Sequence, residues 1–127
     1  MTTKTKYEAK VDQIRKDLLC NAFEGGSNYW YMIEKFVIPP GEKVEYKHLD
    51  TPFLKGGRVL ISTGDEHNNP NRKDKCWVLD HAALVRGWNL MKEKHEYHFA
   101  NAITENHDAE TGDVYLQLCL FGEVIFG

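Results

Sequence analysis

An α+β fold is what this sequence predicts: a small antiparallel sheet packed against an N-terminal helix, a long central helix and a short C-terminal helix. Three observations lead there. Apolar residues recur at steps of three and four near the start and again after residue 80, the spacing that gathers side chains on one helix face. Between those stretches lie short runs rich in β-branched and aromatic residues, as at residues 28–38, 58–63 and 76–79. Clusters of Gly, Pro and Asn separate the runs, as turns require. At 127 residues the chain holds a single domain, residues 1–127, with its first five residues expected to fray.

The elements follow in order. Tyr7, Val11, Ile14, Leu18 and Ala22 form one stripe, so a first helix is expected over residues 6–23. Gly25 and Gly26 are expected to reverse the chain through positive φ. Residues 28–38 then read as a strand that Pro39, Pro40 and Gly41 stop. Val44 and Tyr46 alternate with charged neighbours, which predicts a second short strand over residues 43–48. Val59, Leu60 and Ile61 make a compact central strand over residues 58–63, and residues 64–75 form a polar loop to a strand at 76–79. Asp80 is a natural N-cap for a main helix carrying Leu84, Trp88, Met91, Phe99 and Ala102 and ending near Thr104. Gly87 inside it costs about 1 kcal/mol relative to alanine, so close approach of the sheet is the expected compensation. A loop over residues 104–112 leads to a short last helix with Val114, Leu118 and Phe121, stopped by Gly122. Val124, Ile125 and Phe126 suit a terminal strand.

Composition excludes several classes of function. Hydrophobic residues at 42% and a net charge of only −3 rule out a disordered chain. Nineteen acids against sixteen bases supply neither the basic field of a duplex-binding protein nor the dense carboxylates of a nucleic-acid mimic. Cys20, Cys76 and Cys119 are an odd, widely spaced set and read as reduced thiols. The opening residues are polar, and no window is long and apolar enough for a membrane span, so a cytoplasmic location is expected, without contact with a membrane.

Chemistry-bearing residues are present, each with a plain structural explanation beside the functional one. His95 and His98 lie three apart on the main helix and are weak metal candidates, since two ligands lack the further one or two a zinc site needs. They underlie an alternative reading as a small metal-assisted hydrolase. Asp65, Glu66 and His67, and likewise His107, Asp108 and Glu110, place acids beside a base in polar loops, where solvated residues are the rule. Cys119, between Leu118 and Leu120, reads as a core thiol. No cofactor is implied.

The segment from Cys20 to Tyr31, C-N-A-F-E-G-G-S-N-Y-W-Y, concentrates turn residues and three successive aromatics. It lacks a phosphate-loop signature. Glu24, Ser27, Asn28, Tyr29, Trp30 and Tyr31 are the candidate ligand- or partner-binding residues, because rings on both sides of a strand exceed what one core face needs and can stack on a planar group. A homodimer is a further way to cover the second face.

The segments E-G-G-S-N-Y-W-Y at 24–31 and L-F-G-E-V-I-F-G at 120–127 resemble a recurring pattern in small phage and prophage proteins of unknown function. The stretches G-G-R-V-L-I-S-T-G and C-W-V-L-D-H-A-A-L-V-R-G-W look similar to that pattern's strand and strand-to-helix sections. The resemblance implies no catalytic residues. It implies a phage accessory protein that binds a host protein or a small nucleotide-like ligand, countering host defence, in the host cell cytoplasm. A structural homo-oligomeric subunit is the remaining alternative.

Overall fold

The computed structural model describes residues 5–63, 76–106 and 108–127, and shows an α+β fold built around a three-stranded antiparallel sheet. Helix α1 spans Lys6–Asn21. It starts with a capping box in which Thr5 Oγ1 accepts from the Glu8 N–H at 3.0 Å and Glu8 accepts in return from the Thr5 N–H at 3.5 Å. Thr5 is therefore ordered, although fraying was expected through that residue. Val11, Ile14, Leu18 and Ala22 are buried as the stripe predicts, whereas Tyr7 is 74% exposed because the first turn overhangs the core.

The helix does not stop at a positive-φ glycine. It widens into a π turn over Ala22–Gly26, closed by the Ser27 N–H donating to the Ala22 carbonyl at 2.8 Å. Neither Gly25 nor Gly26 adopts positive φ. Gly26 is required for a different reason: a Cβ there would overlap the Ala109 carbonyl.

Strand β1 is Tyr31–Val37, shorter than the predicted 28–38, because Ser27 to Trp30 fold as a turn. It pairs antiparallel with β2, Arg58–Thr63, which pairs with β3, Trp77–Leu79. A bulge at Glu34 shifts the register, and the Ser62 hydroxyl donates to the Glu34 carboxylate at 2.5 Å. The strand predicted at 43–48 is absent. Its end is instead a single helical turn, α2 (Lys47–Asp50), because Asp50 accepts from the Glu45 and Tyr46 N–H groups at 3.0 and 2.9 Å and curls that backbone.

The predicted central helix exists in two pieces, α3 (His81–Lys94) and α4 (Glu96–Ile103), broken at His95, which has φ −134° and ψ 61°. Asp80 caps α3 by accepting from the Ala83 N–H at 2.9 Å, as expected. The last helix, α5, is Ala109–Phe121, longer than predicted because Asp108 caps it through the Thr111 N–H at 3.0 Å. Gly122 ends it at φ 77°. Every residue from Thr111 to Leu120 is buried, so α5 is the axis of the core, flanked by α1, α3, the π turn and β3. Gly87 faces this helix rather than the sheet: a Cβ there would overlap the Cys119 sulfur and stand 2.9 Å from the Cys119 nitrogen. Residues 123–127 run as an extended tail without strand pairing. The loop at 64–75, with Asp65, Glu66 and His67, lies outside the described residues, as does His107.

A candidate interaction site hung on Asp113 and Gln117

An apolar helix with one carboxylate and one amide on its buried side must satisfy both within the protein. In α5 these are Asp113, 9% exposed, and Gln117, fully buried, one turn apart. Asp113 Oδ1 accepts from Ser27 Oγ at 2.7 Å, Trp30 Nε1 at 2.7 Å and Gln117 Nε2 at 3.1 Å. Its Oδ2 accepts from the Tyr29 hydroxyl at 2.7 Å. Gln117 turns the other way: its Oε1 accepts from the N–H groups of Ile125 and Phe126, both at 2.8 Å, and its Nε2 donates to the Phe126 carbonyl at 3.1 Å. The two residues join the S-N-Y-W turn to the C-terminal tail, 83 to 86 positions from one end and eight or nine from the other.

Ring packing reinforces the join. Trp30 stacks on Phe126 with centroids 5.3 Å apart and planes 10° from parallel, and Phe121 sits against both rings. Trp77 of β3 meets Phe121 edge-on at 5.0 Å. The S-N-Y-W turn and the C-terminal tail thus fold against each other across one helix.

This arrangement corrects part of the candidate surface. Ser27 and Trp30 are 0% and 2% exposed, so neither side chain can touch a ligand or partner. Tyr31 is half-buried, its hydroxyl donating to the Phe23 carbonyl at 2.7 Å and its ring edge-on to Phe23. Glu24, Asn28 and Tyr29 do reach solvent. Tyr29 is 57% exposed, yet burial of its hydroxyl end, and the bond to Asp113, push its pKa up to about 12. Beside the same hub the tail exposes Val124 at 39% and Ile125 at 56%. The outcome is an exposed aromatic ring and an exposed aliphatic tail, each held from behind by part-buried hydrogen bonds.

Glu24 belongs to a separate small cluster. The Cys20 thiol donates to its carboxylate at 3.1 Å, and His48 Nε2 lies 3.6 Å from the same oxygen. The Cys20 bond lowers the Glu24 pKa, with His48 helping. That hydrogen bond, followed by burial and by the Glu24 and Asp17 charges, pushes the Cys20 thiol up to about 11, so it is protonated at neutral pH and a poor nucleophile. Cys119 is fully buried, and burial raises it to about 12, in keeping with a core thiol.

The histidine pair is drawn apart in role. His95 terminates α3, and burial, then the His98 and Lys94 charges, lowers its pKa. His98 Nδ1 is 2.9 Å from Thr111 Oγ1. Among the described residues no group of three His, Cys, Asp or Glu side chains is placed to hold a metal ion. Asp108, from the second polar trio, is the α5 cap, which lowers its pKa chiefly through the Thr111 N–H. No helix among the described residues is long and apolar enough to cross a membrane.

Asp113 and Gln117 were not among the predicted site residues. Their signal was legible: polar side chains four apart inside a run whose other residues are apolar on every face mark a helix interior with something to bind. Compared with family models, curated proteins and solved structures, the chain matches none.

Proposed function

We propose that the protein acts by non-covalent binding of a protein partner through the face formed by Asn28, Tyr29, Val124 and Ile125. The observation that carries this reading is Tyr29: an aromatic ring more than half exposed whose hydroxyl is nevertheless fixed by a buried carboxylate. Ordering an interface side chain on association costs about 0.5–1.5 kcal/mol, and here that ordering is already present. Exposed aromatic and aliphatic groups on a rigid support are the usual anchors of a protein interface. The likeness to small phage and prophage proteins makes a host protein the partner class, encountered in the host cell's cytoplasm.

A nucleotide stacked on Trp30 is disfavoured, because that ring is 2% exposed and already stacked on Phe126. The hydrolase alternative loses its support where His95 and His98 gain no third ligand among the described residues. A homo-oligomer would use the same exposed face, and differs only in the partner.

The test is affinity purification from host lysate with the wild-type protein and with Ile125→Glu, whose side chain is exposed and whose backbone bond to Gln117 is retained. A protein recovered by the wild type and lost with the variant, alongside a monomeric mass by light scattering, is the expected result. Equal recovery by both proteins overturns the reading, and a defined oligomer dispersed by Ile125→Glu replaces the host partner with a second copy.

A further inference from the structure

Residues 123–127 run extended beside α5, and among the described residues their backbone makes no hydrogen bond except to the Gln117 side chain. Glu123, Val124, Ile125 and Gly127 are exposed, so the half-buried Phe126 ring is the one side chain this segment inserts. We propose that the seat it occupies is a binding site for an extended peptide carrying a Phe-Gly pair, filled in cis by the protein's own tail.

Gln117 reads main chain rather than side chains. Its Oε1 accepts from two successive N–H groups and its Nε2 donates to the carbonyl of the second residue, a pattern that an extended segment without proline at those positions can offer. Selectivity comes from the ring slot, where Phe126 lies flat on Trp30 at 5.3 Å and meets Phe121 at 5.9 Å. The following position is restricted too. Gly127 has φ 116°, which favours glycine, and a Cβ there would stand 3.3 Å from the Tyr29 hydroxyl.

Little holds the tail in place. Five residues lose conformational entropy in return for bonds from a single side chain and the packing of one ring, which puts the segment at the low-stability end of the fold. The seat behind it has its own supports, since Gln117 Nε2 and Trp30 Nε1 both donate to Asp113. A peptide that takes the seat lifts Val124 and Ile125 off the docking face and so switches that face off. This regulatory consequence rests on the proposed function, whereas binding at the seat does not.

The experiment is calorimetric titration of the full chain with the pentapeptide Glu-Val-Ile-Phe-Gly, on the wild type, on Phe126→Ala and on Ile125→Pro. The first variant empties the ring slot, and the second removes an N–H that Gln117 accepts. A tail in cis competes at an effective concentration of about 1 mM or more. Both variants are therefore expected to bind the peptide at least about tenfold more tightly than the wild type, with Kd below about 1 mM. The same peptide with alanine in place of phenylalanine should not bind. Absence of binding to both variants at about 1 mM, equal affinity for wild type and variants, or equal binding of the alanine peptide overturns the proposal. So does loss of the melting transition in both variants, because the tail is then part of the core and not a displaceable occupant. None of these readouts involves a host protein, so their failure leaves the docking face to its own test.

Discussion

At the scale of single residues, Asp113 matters more than any member of the aromatic run it organises. Removing it in Asp113→Ala leaves the donors of Ser27 and Trp30 buried without their acceptor and takes one of two acceptors from the Gln117 amide. Orphaned buried donors cost about 1–3 kcal/mol each, though not additively, so a loss of about 3–5 kcal/mol is expected by urea denaturation. Asp113→Asn keeps one oxygen for the cluster and should lose less than half of that. Gln117→Leu strips the acceptor from the Ile125 and Phe126 N–H groups. Amide exchange at those two positions should rise sharply while α1 stays protected, and Trp30 emission should shift as Phe126 leaves its ring. The same local logic governs the thiols. Cys119 should resist alkylation at pH 8 until the protein unfolds, since its sulfur is buried and its pKa is pushed up to about 12.

Between elements, contact distance decides what residue identity alone leaves open. Gly87 looked like a cost within a good helix, yet it is where α3 crosses α5 at the Cys119 backbone. Gly112 does the same on the other side, where a Cβ would stand 2.7 Å from the Leu18 carbonyl of α1. Helix propensity alone favours Gly87→Ala by about 1 kcal/mol. Overlap with Cys119 reverses that sign, and a net loss of about 1–3 kcal/mol is expected by thermal or urea unfolding. A stabilised variant would show that the helices separate freely. Capping is a milder effect at this scale. Asp108→Ala removes the acceptor for the Thr111 N–H and should cost about 1 kcal/mol, while Asp108→Asn should retain most of the cap.

Across the whole molecule, acid should destabilise the fold in two windows. His95 has its folded-state pKa lowered, chiefly by burial, so the unfolded chain binds the proton first and stability falls as pH drops below about 6.5. Asp50 and Asp108 also have lowered pKa values. For Asp50 burial opposes the shift, but the Lys16 ion pair and the Tyr46 and Glu45 N–H groups outweigh it; for Asp108 the Thr111 N–H dominates. Their contributions are present above about pH 4 and are lost below it. The melting temperature should therefore fall by a few degrees from pH 7 to 5, with His95→Asn flattening that segment, and then fall again towards pH 3. A wild-type profile flat from 7 to 5 refutes the first window.

Helix α1, the strands β2 and β3, the Asp80 cap and the Gly122 stop were readable along the chain, because each rests on periodicity or on turn chemistry within a few residues. The predicted strand at 43–48 and the terminal strand failed where a distant or competing hydrogen bond won, as Asp50 does at Glu45 and Tyr46 and Gln117 does at the tail, and the central helix breaks at His95. The aromatic run could be located from its letters but not sorted into buried and exposed rings. Alternation along a strand would have turned Tyr29 and Tyr31 to one side, whereas a turn governs Tyr29 and Trp30, and an acceptor more than eighty residues away draws Trp30 inward while leaving the Tyr29 ring in solvent. Periodicity is a short-range property and was enough to name the helices and strands; the fate of each polar atom depends on partners that only folding brings within hydrogen-bond reach.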